Sequence, residues 1–163
     1  MHFNPADIQT VGIGLAAFLS TLISVFIFLS TRTERLGRAM SLLIGLIAVW
    51  AWFGFLYQIV PDLAIAREMR VISVMGIVWE SMAGINFALV YLEERRAIGA
   101  WWRGIQISMY TAGALLTIIL VGDLFGGRNI VGDLTLPTDQ LLAPNAGPLF
   151  AYVVLFYTLF IAV

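Results

Sequence analysis

Glu80 is the one carboxylate within the apolar run 71–92, near the middle of a stretch long enough to cross a hydrocarbon core of ~30 Å at 1.5 Å per residue. Left ionised and unpaired at that depth, a carboxyl group costs roughly 2.5–3.5 kcal/mol. It therefore calls for a partner, a proton or a ligand. Gly76, Glu80 and Gly84 recur every four residues and share one helix face. Two glycines let a neighbouring helix approach closely, which turns the acid toward protein rather than lipid. Two roles follow. A structural acid would be protonated, or hydrogen-bonded to a Ser, Asn, Tyr or Trp of a neighbouring helix. A functional one would anchor a ligand head group or act as a proton-sensitive switch. Ser20 and Ser24 on the first helix are the partners suggested by depth. Asn86 shares a different face with Trp79, Met75 and Met82, and reads as a helix–helix hydrogen bond.

Other chemistry fails for want of residue types. The chain has no cysteine and a single histidine, His2; all nine basic residues are arginine. Disulfides, thiolate metal sites, cysteine nucleophiles, bis-histidine haem and a retinal Schiff base are excluded within this chain. Asp123, Asp133 and Asp139 lack the spacing of a calcium loop. Gly126-Gly127-Arg128 does not follow a strand or open a helix, so it is no phosphate loop. No catalytic constellation emerges, and no cofactor or metal is expected.

The surrounding elements follow from composition. Of 163 residues, 61% are hydrophobic and 12% charged, with a mean hydropathy of +0.94. A soluble domain carries about 25% charged residues, so an integral membrane protein is expected. The net charge of −1 excludes a strongly basic nucleic-acid surface.

The pattern predicts an all-α polytopic bundle forming a single transmembrane domain, 1–163. Its helices fall at about 8–30, 39–60, 70–93, 103–121 and 148–163. Asn4, Pro5 and Asp7 mark a helix start rather than a cleavable leader. Gly12 and Ala16 continue into Ser20 and Ser24, and Gly104, Ser108 and Ala112 repeat the pattern on helix 4. Both are small-residue stripes suited to helix packing. Trp50, Trp52, Phe53, Phe55 and Tyr57 read as an interfacial aromatic belt, and Trp101-Trp102-Arg103 as an anchor.

In the short second loop, Arg67 is offset by Asp62 or Glu68. The long polar connection 122–147 suggests a short hairpin, with Gly132-Asp133 between Ile130-Val131 and Leu134-Thr135-Leu136. The last helix stops before a full span, so the chain is read as the front of a longer protein. Arginines concentrate in loops 1 and 3, at Arg32, Arg35, Arg38, Arg95, Arg96 and Arg103. Those loops are then cytoplasmic, with the N-terminus and the long loop between helices 4 and 5 outside.

Three segments carry a resemblance. RTERLGRAMSLLIGLIAVWAWFGF places an arginine-rich loop before a tryptophan-bearing helix. GIVWESMAGINFALVYL has a small-residue centre and an aliphatic–tyrosine end. GPLFAYVVLFYTLF follows a long outer loop. In this order they resemble the N-terminal seven-helix sensor region of bacterial histidine kinases and some diguanylate cyclases, in particular membrane sensors of amphiphilic autoinducers. The resemblance implies a bacterial inner-membrane receptor module. It would take a small amphiphilic or apolar signal into the helix bundle and relay it to a cytoplasmic kinase or cyclase domain beyond this chain. Helices six and seven of that pattern are not in this sequence. The rival reading is a non-catalytic subunit of a larger membrane complex, with lipid and other transmembrane helices as partners. A transporter fragment has thinner support, since a relay wants a second titratable group in the bilayer.

Overall fold

A computed structural model describes residues 5–95, 99–135 and 143–162. Asn4, Arg96, Asp139 and Val163 lie outside them. Five helices are formed: α1 (Pro5–Thr31), α2 (Arg35–Ile59), α3 (Leu63–Arg95), α4 (Ala100–Leu124) and α5 (Phe150–Ala162). A two-stranded hairpin, β1 (Val131–Thr135) with β2 (Ala143–Ala146), interrupts the last connection. Four helices are long and apolar enough to cross a membrane.

The first four helices start earlier than the apolar runs imply, and α5 starts two residues later. At the first turn the Glu34 N–H donates to the Thr31 carbonyl at 2.8 Å, so α2 begins by Arg35 and the loop arginines Arg35 and Arg38 are helical. Before α3, the Asp62 carboxylate accepts the N–H groups of Ala64 and Ile65 at 2.8 and 3.3 Å, capping the helix seven residues ahead of the predicted position 70. An N-terminal carboxylate satisfies amides that have no intrahelical acceptor and meets the positive end of the dipole. Most of the expected second loop is thus helix.

α3 is the hub. Within its most apolar window 56% of residues are buried, against 6% for α1. It packs on α2, α4, α5 and β1, whereas α1 packs on α2. Val71, Val74, Val78, Met82, Ile85 and Leu89 recur at spacings of three and four on α3. They meet Leu116 and Leu120 of α4, Ile130 and Val131 of the connection, and Val153 and Phe156 of α5. The opposite balance holds on α1, where Phe18, Leu22, Phe26 and Leu29 are exposed. Apolar side chains left outward around such helices match an acyl-chain environment rather than water.

α2 and α3 touch backbone to backbone at Gly76. A Cβ there would lie 3.1 Å from the Trp50 N, Cα and Cβ atoms. Nearby, the buried Ser73 hydroxyl donates to the Trp50 carbonyl at 3.2 Å. The aromatic cluster of α2 is partly drawn into packing: the Trp52 indole donates to Thr21 Oγ1 of α1 at 2.9 Å, and Tyr57 is buried. The packing stripes divide. Gly76 and Gly84 are buried, and Ala112 packs on the core. Gly12 and Gly104 would leave a Cβ in open space, and Ala16 and Ser108 are exposed.

The hairpin forms with a different register from the one expected. β1 continues through Gly132-Asp133 with a one-residue shift of register there and pairs antiparallel with β2, Val131 opposite Ala146 and Thr135 opposite Ala143. Gly132-Asp133 extends a strand instead of turning it. The connection's ends meet because Gly147 N–H donates to the Ile130 carbonyl at 2.8 Å and Leu149 N–H to the Asn129 carbonyl at 2.7 Å.

Candidate functional site

Glu80 sits near the midpoint of α3, on the face that carries Gly76. It is half-buried and lines a cavity of about 320 Å³ bounded by α2, α3 and α5. Its walls are Trp50, Arg70, Ile77, Phe150, Val153 and Tyr157, among others. Arg70, Ile77 and Glu80 are spaced by seven and three residues, which aligns them on one helix face. The close approach at Gly76 places Trp50 beside this face, and α5 closes the third side.

Two charged groups, ten residues apart along α3, line the cavity. Glu80 offers a carboxyl group and Arg70 a guanidinium, which also lies 5.1 Å from the centroid of the Tyr57 ring. Glu80 forms no ion pair among the described residues; the one ion pair described joins Arg35 to Glu93 at the other end of α3. Tyr157 is within electrostatic reach of Glu80. Val153, Val154 and Phe150 supply apolar wall. A cavity with one acid, one guanidinium, Tyr157, Thr158 and otherwise apolar residues in its lining can hold the polar head of an amphiphile and shelter its tail.

The serines expected to partner Glu80 do not. Ser24 donates to the Ser41 carbonyl at 2.8 Å, and Ser41 returns a bond to the Ser24 carbonyl at 2.9 Å, joining α1 to α2. Ser20 is half-buried, and its hydroxyl makes no hydrogen bond among the described residues. The α1 helix packs against α2, so its small residues find their acceptors there rather than on α3. Asn86 is half-buried, and its side chain likewise forms no hydrogen bond among the described residues, so the interhelical bond expected of it is absent there. Trp79 is 46% exposed and stands away from the cavity wall. Arg70, not among the expected site residues, lines the same cavity as Glu80. Its position seven before Ile77 was the available signal.

A second polar centre lies where α3 begins and α4 ends. Asp123 is fully buried. Its Oδ1 accepts the Asn129 backbone N–H at 2.9 Å and the Asn129 side-chain amide at 3.0 Å. Its Oδ2 accepts the Ile130 and Val131 N–H groups at 2.8 and 3.0 Å. Arg67 takes the carbonyls of the same segment: Asp123 O at 3.1 Å, Val131 O at 3.2 Å and Gly127 O. The expected pairing of Arg67 with Asp62 or Glu68 is therefore replaced. Asp62 caps α3, and the guanidinium reaches across to the α4–β1 connection because its fork matches several carbonyls at once. α4 stops there on Gly126, whose φ of +98° lies in the left-handed region. Gly127 N–H then bonds the Gly122 carbonyl at 3.1 Å, and Gly126 N–H that of Asp123 at 3.4 Å. This glycine stop is a Schellman arrangement, and Gly126-Gly127 was its sequence signal.

Set against protein-family models, curated proteins and solved structures, the chain matches none of them. Function therefore rests on the cavity and its residues.

Proposed function

We propose that this chain is the membrane-embedded sensor module of a bacterial signal-transduction protein, lodged in the cytoplasmic membrane with its N-terminus outside. It binds a small amphiphilic or apolar signal in the Glu80 cavity and transmits a helix displacement to a cytoplasmic output domain. The observation that carries this reading is the cavity of about 320 Å³ that Glu80 and Arg70 both line, unpaired with each other, with mostly apolar walls from three helices. A signal shifts such a module only by its differential affinity for two arrangements of the helices. The cavity supports that requirement, since α5 bounds it while making far fewer contacts with α3 than α2 does. Movement of α5 against α3 changes the cavity without opening the α2–α3 seam.

The test is Glu80→Gln in the full-length protein, read by output activity with and without long-chain amphiphiles. Altered basal output or a weakened response is expected. If both remain as in wild type, the anchoring role of Glu80 is wrong.

One observation favours a second reading, a non-catalytic subunit of a larger membrane complex. Away from its contact with α2, α1 is uncovered, and its Gly12–Ala16 face is open. Purification in mild detergent separates the two. A stable co-purifying membrane partner, with no output domain in the same reading frame, selects the subunit.

A further inference from the structure

The Glu80 cavity has two polar ends, and they stand apart. Arg70 and Glu80 both line it from α3, ten residues from each other, which separates their Cα atoms by ~15 Å along the helix axis. The Arg70 guanidinium is held where α2 gives way to α3. It lies over the ring of Tyr57, three residues before the C-cap Val60. An aromatic face engages the guanidinium through its plane, so the N–H donors at its edge stay available. Among the described residues, no hydrogen bond or ion pair takes up the side chain of Arg70 or of Glu80. Trp50, Ile77 and Val153 supply apolar wall.

α5 runs alongside α3 in the same direction. Its entry is tied beside the first turns of α3, since Arg67 donates to the Val131 carbonyl and Gly147 N–H to the Ile130 carbonyl. Further along, Tyr157 comes within electrostatic reach of Glu80. The Thr158 hydroxyl donates to the Val154 carbonyl at 2.8 Å, so it adds an acceptor at that end and no free donor. Val154 and Thr158 are exposed, which opens the groove sideways to the surrounding acyl chains.

This geometry selects a ligand by shape and by its two ends. Spread along ~15 Å of helix, about 320 Å³ averages roughly 20 Å² in section, room for one hydrocarbon chain whose carbons keep ~4 Å from the walls. A carboxylate suits the Arg70 end, because it matches the edge of a guanidinium with two parallel bonds. A hydroxyl suits the Glu80 end, because it donates to a carboxyl group in either protonation state. Two hydrogen bonds of about 2.8 Å take up part of the span, and ~9 Å remains, the reach of about eight to ten carbons in zigzag.

We propose that the cavity binds a medium-chain hydroxy fatty acid, its carboxylate on Arg70 and a hydroxyl near the far end of its chain on Glu80. This rests on the reading of the cavity as an amphiphile site. Binding is measured on the purified chain in lipid nanodiscs, by equilibrium dialysis of radiolabelled ω-hydroxydecanoic acid with empty nanodiscs subtracted. Decanoic acid, decane-α,ω-diol and decanoic acid hydroxylated at mid-chain are the competing probes. Wild type is expected to favour ω-hydroxydecanoic acid over each by about tenfold, the scale of one hydrogen bond to a charged group. Arg70→Gln is expected to erase the preference over the diol and keep that over decanoic acid, and Glu80→Leu to do the reverse. Ile77→Trp fills the stretch between the two ends and is expected to abolish saturable binding of all four. Val154→Trp narrows the same groove from an exposed position and replaces it if Ile77→Trp does not fold. Equal binding of the four probes by wild type, a mid-chain hydroxyl serving as well as a terminal one, or a preference that survives loss of its own charged group overturns the two-ended recognition. If the tryptophan variant still abolishes binding in that case, the cavity stands as an amphiphile site. Binding left unchanged by the tryptophan variant overturns the cavity itself.

Discussion

Asp123 at the end of α4 and Arg67 on α3 hold one chain segment between them, the carboxylate taking its amides and the guanidinium its carbonyls. Neither charge pairs with the other's side chain. Each works through the backbone, so the connection from α4 to β1 is fixed to the helix that carries Glu80. A buried polar segment of this kind is stable only when its donors and acceptors are all met.

Asp123→Asn should therefore be destabilising. An ionised carboxylate has two accepting oxygens, and an amide has one plus two donors. The amide group would face backbone N–H groups it cannot accept from, at a fully buried position. With about 1–3 kcal/mol lost for each of the two donors orphaned at the replaced oxygen, we expect a loss of about 2–6 kcal/mol in equilibrium unfolding in detergent micelles. A loss well under 1 kcal/mol would mean that water takes over the capping.

Arg67→Lys should loosen the same segment although the charge is kept. The guanidinium fork spans three carbonyls, while an ammonium on a flexible stem cannot match that fixed spread. Hydrogen exchange at the Ile130 and Val131 amides should accelerate by about tenfold or more, since one net hydrogen bond of this class is worth on the order of 1.5 kcal/mol. Protection equal to wild type at both amides would show that Asp123 alone holds the loop.

Gly76 and Gly12 offer an internal contrast. Alanine at Gly76 would press on the Trp50 backbone at 3.1 Å, where neither helix can yield without opening the seam. Overpacking of this sort costs typically 1–3 kcal/mol. Gly12→Ala meets nothing within 4 Å and replaces a helix-interior glycine, so stability should hold or rise by up to about 1 kcal/mol. Thermal unfolding of both variants decides it, and equal losses would mean that α1 is covered in the folded protein.

That contrast also marks what the sequence could reveal. Spacing alone put Gly76, Glu80 and Gly84 on one face, and the apolar runs located four spans. Both follow from local periodicity, which survives without knowledge of neighbours. Spacing could not tell the Gly76 stripe from those at Gly12 and Gly104, because a stripe states that a close approach is allowed, not that a helix comes. Ser24 went wrong for the same reason: depth alone does not say which helix lies alongside. Asp123 was hidden by its company. Read with Asp133 and Asp139 it looked like a polar loop, yet it is the penultimate residue of α4. Arg67 was paired with its nearest carboxylates, whereas the structure joins it to carbonyls far along the chain.

The Ser24–Ser41 contact makes a sharper test of helix pairing. Each hydroxyl donates to the other residue's carbonyl, at 2.8 and 2.9 Å, while the two hydroxyls stand 3.4 Å apart. The two strong bonds thus share no atoms, and removing one leaves the other intact. Interhelical bonds in membranes average about 0.6 kcal/mol, so Ser24→Ala and Ser41→Ala should each cost about that much. Their double variant should be additive within about 0.5 kcal/mol. Coupling should appear elsewhere. A Cβ on Gly45 would lie 3.1 Å from Ser24 Oγ, so Gly45→Ala should destabilise wild type and be better tolerated once Ser24 is alanine. Strong coupling between the two serines, with none between Ser24 and Gly45, would mean that the hydroxyls bond each other and that α1 sits differently on α2.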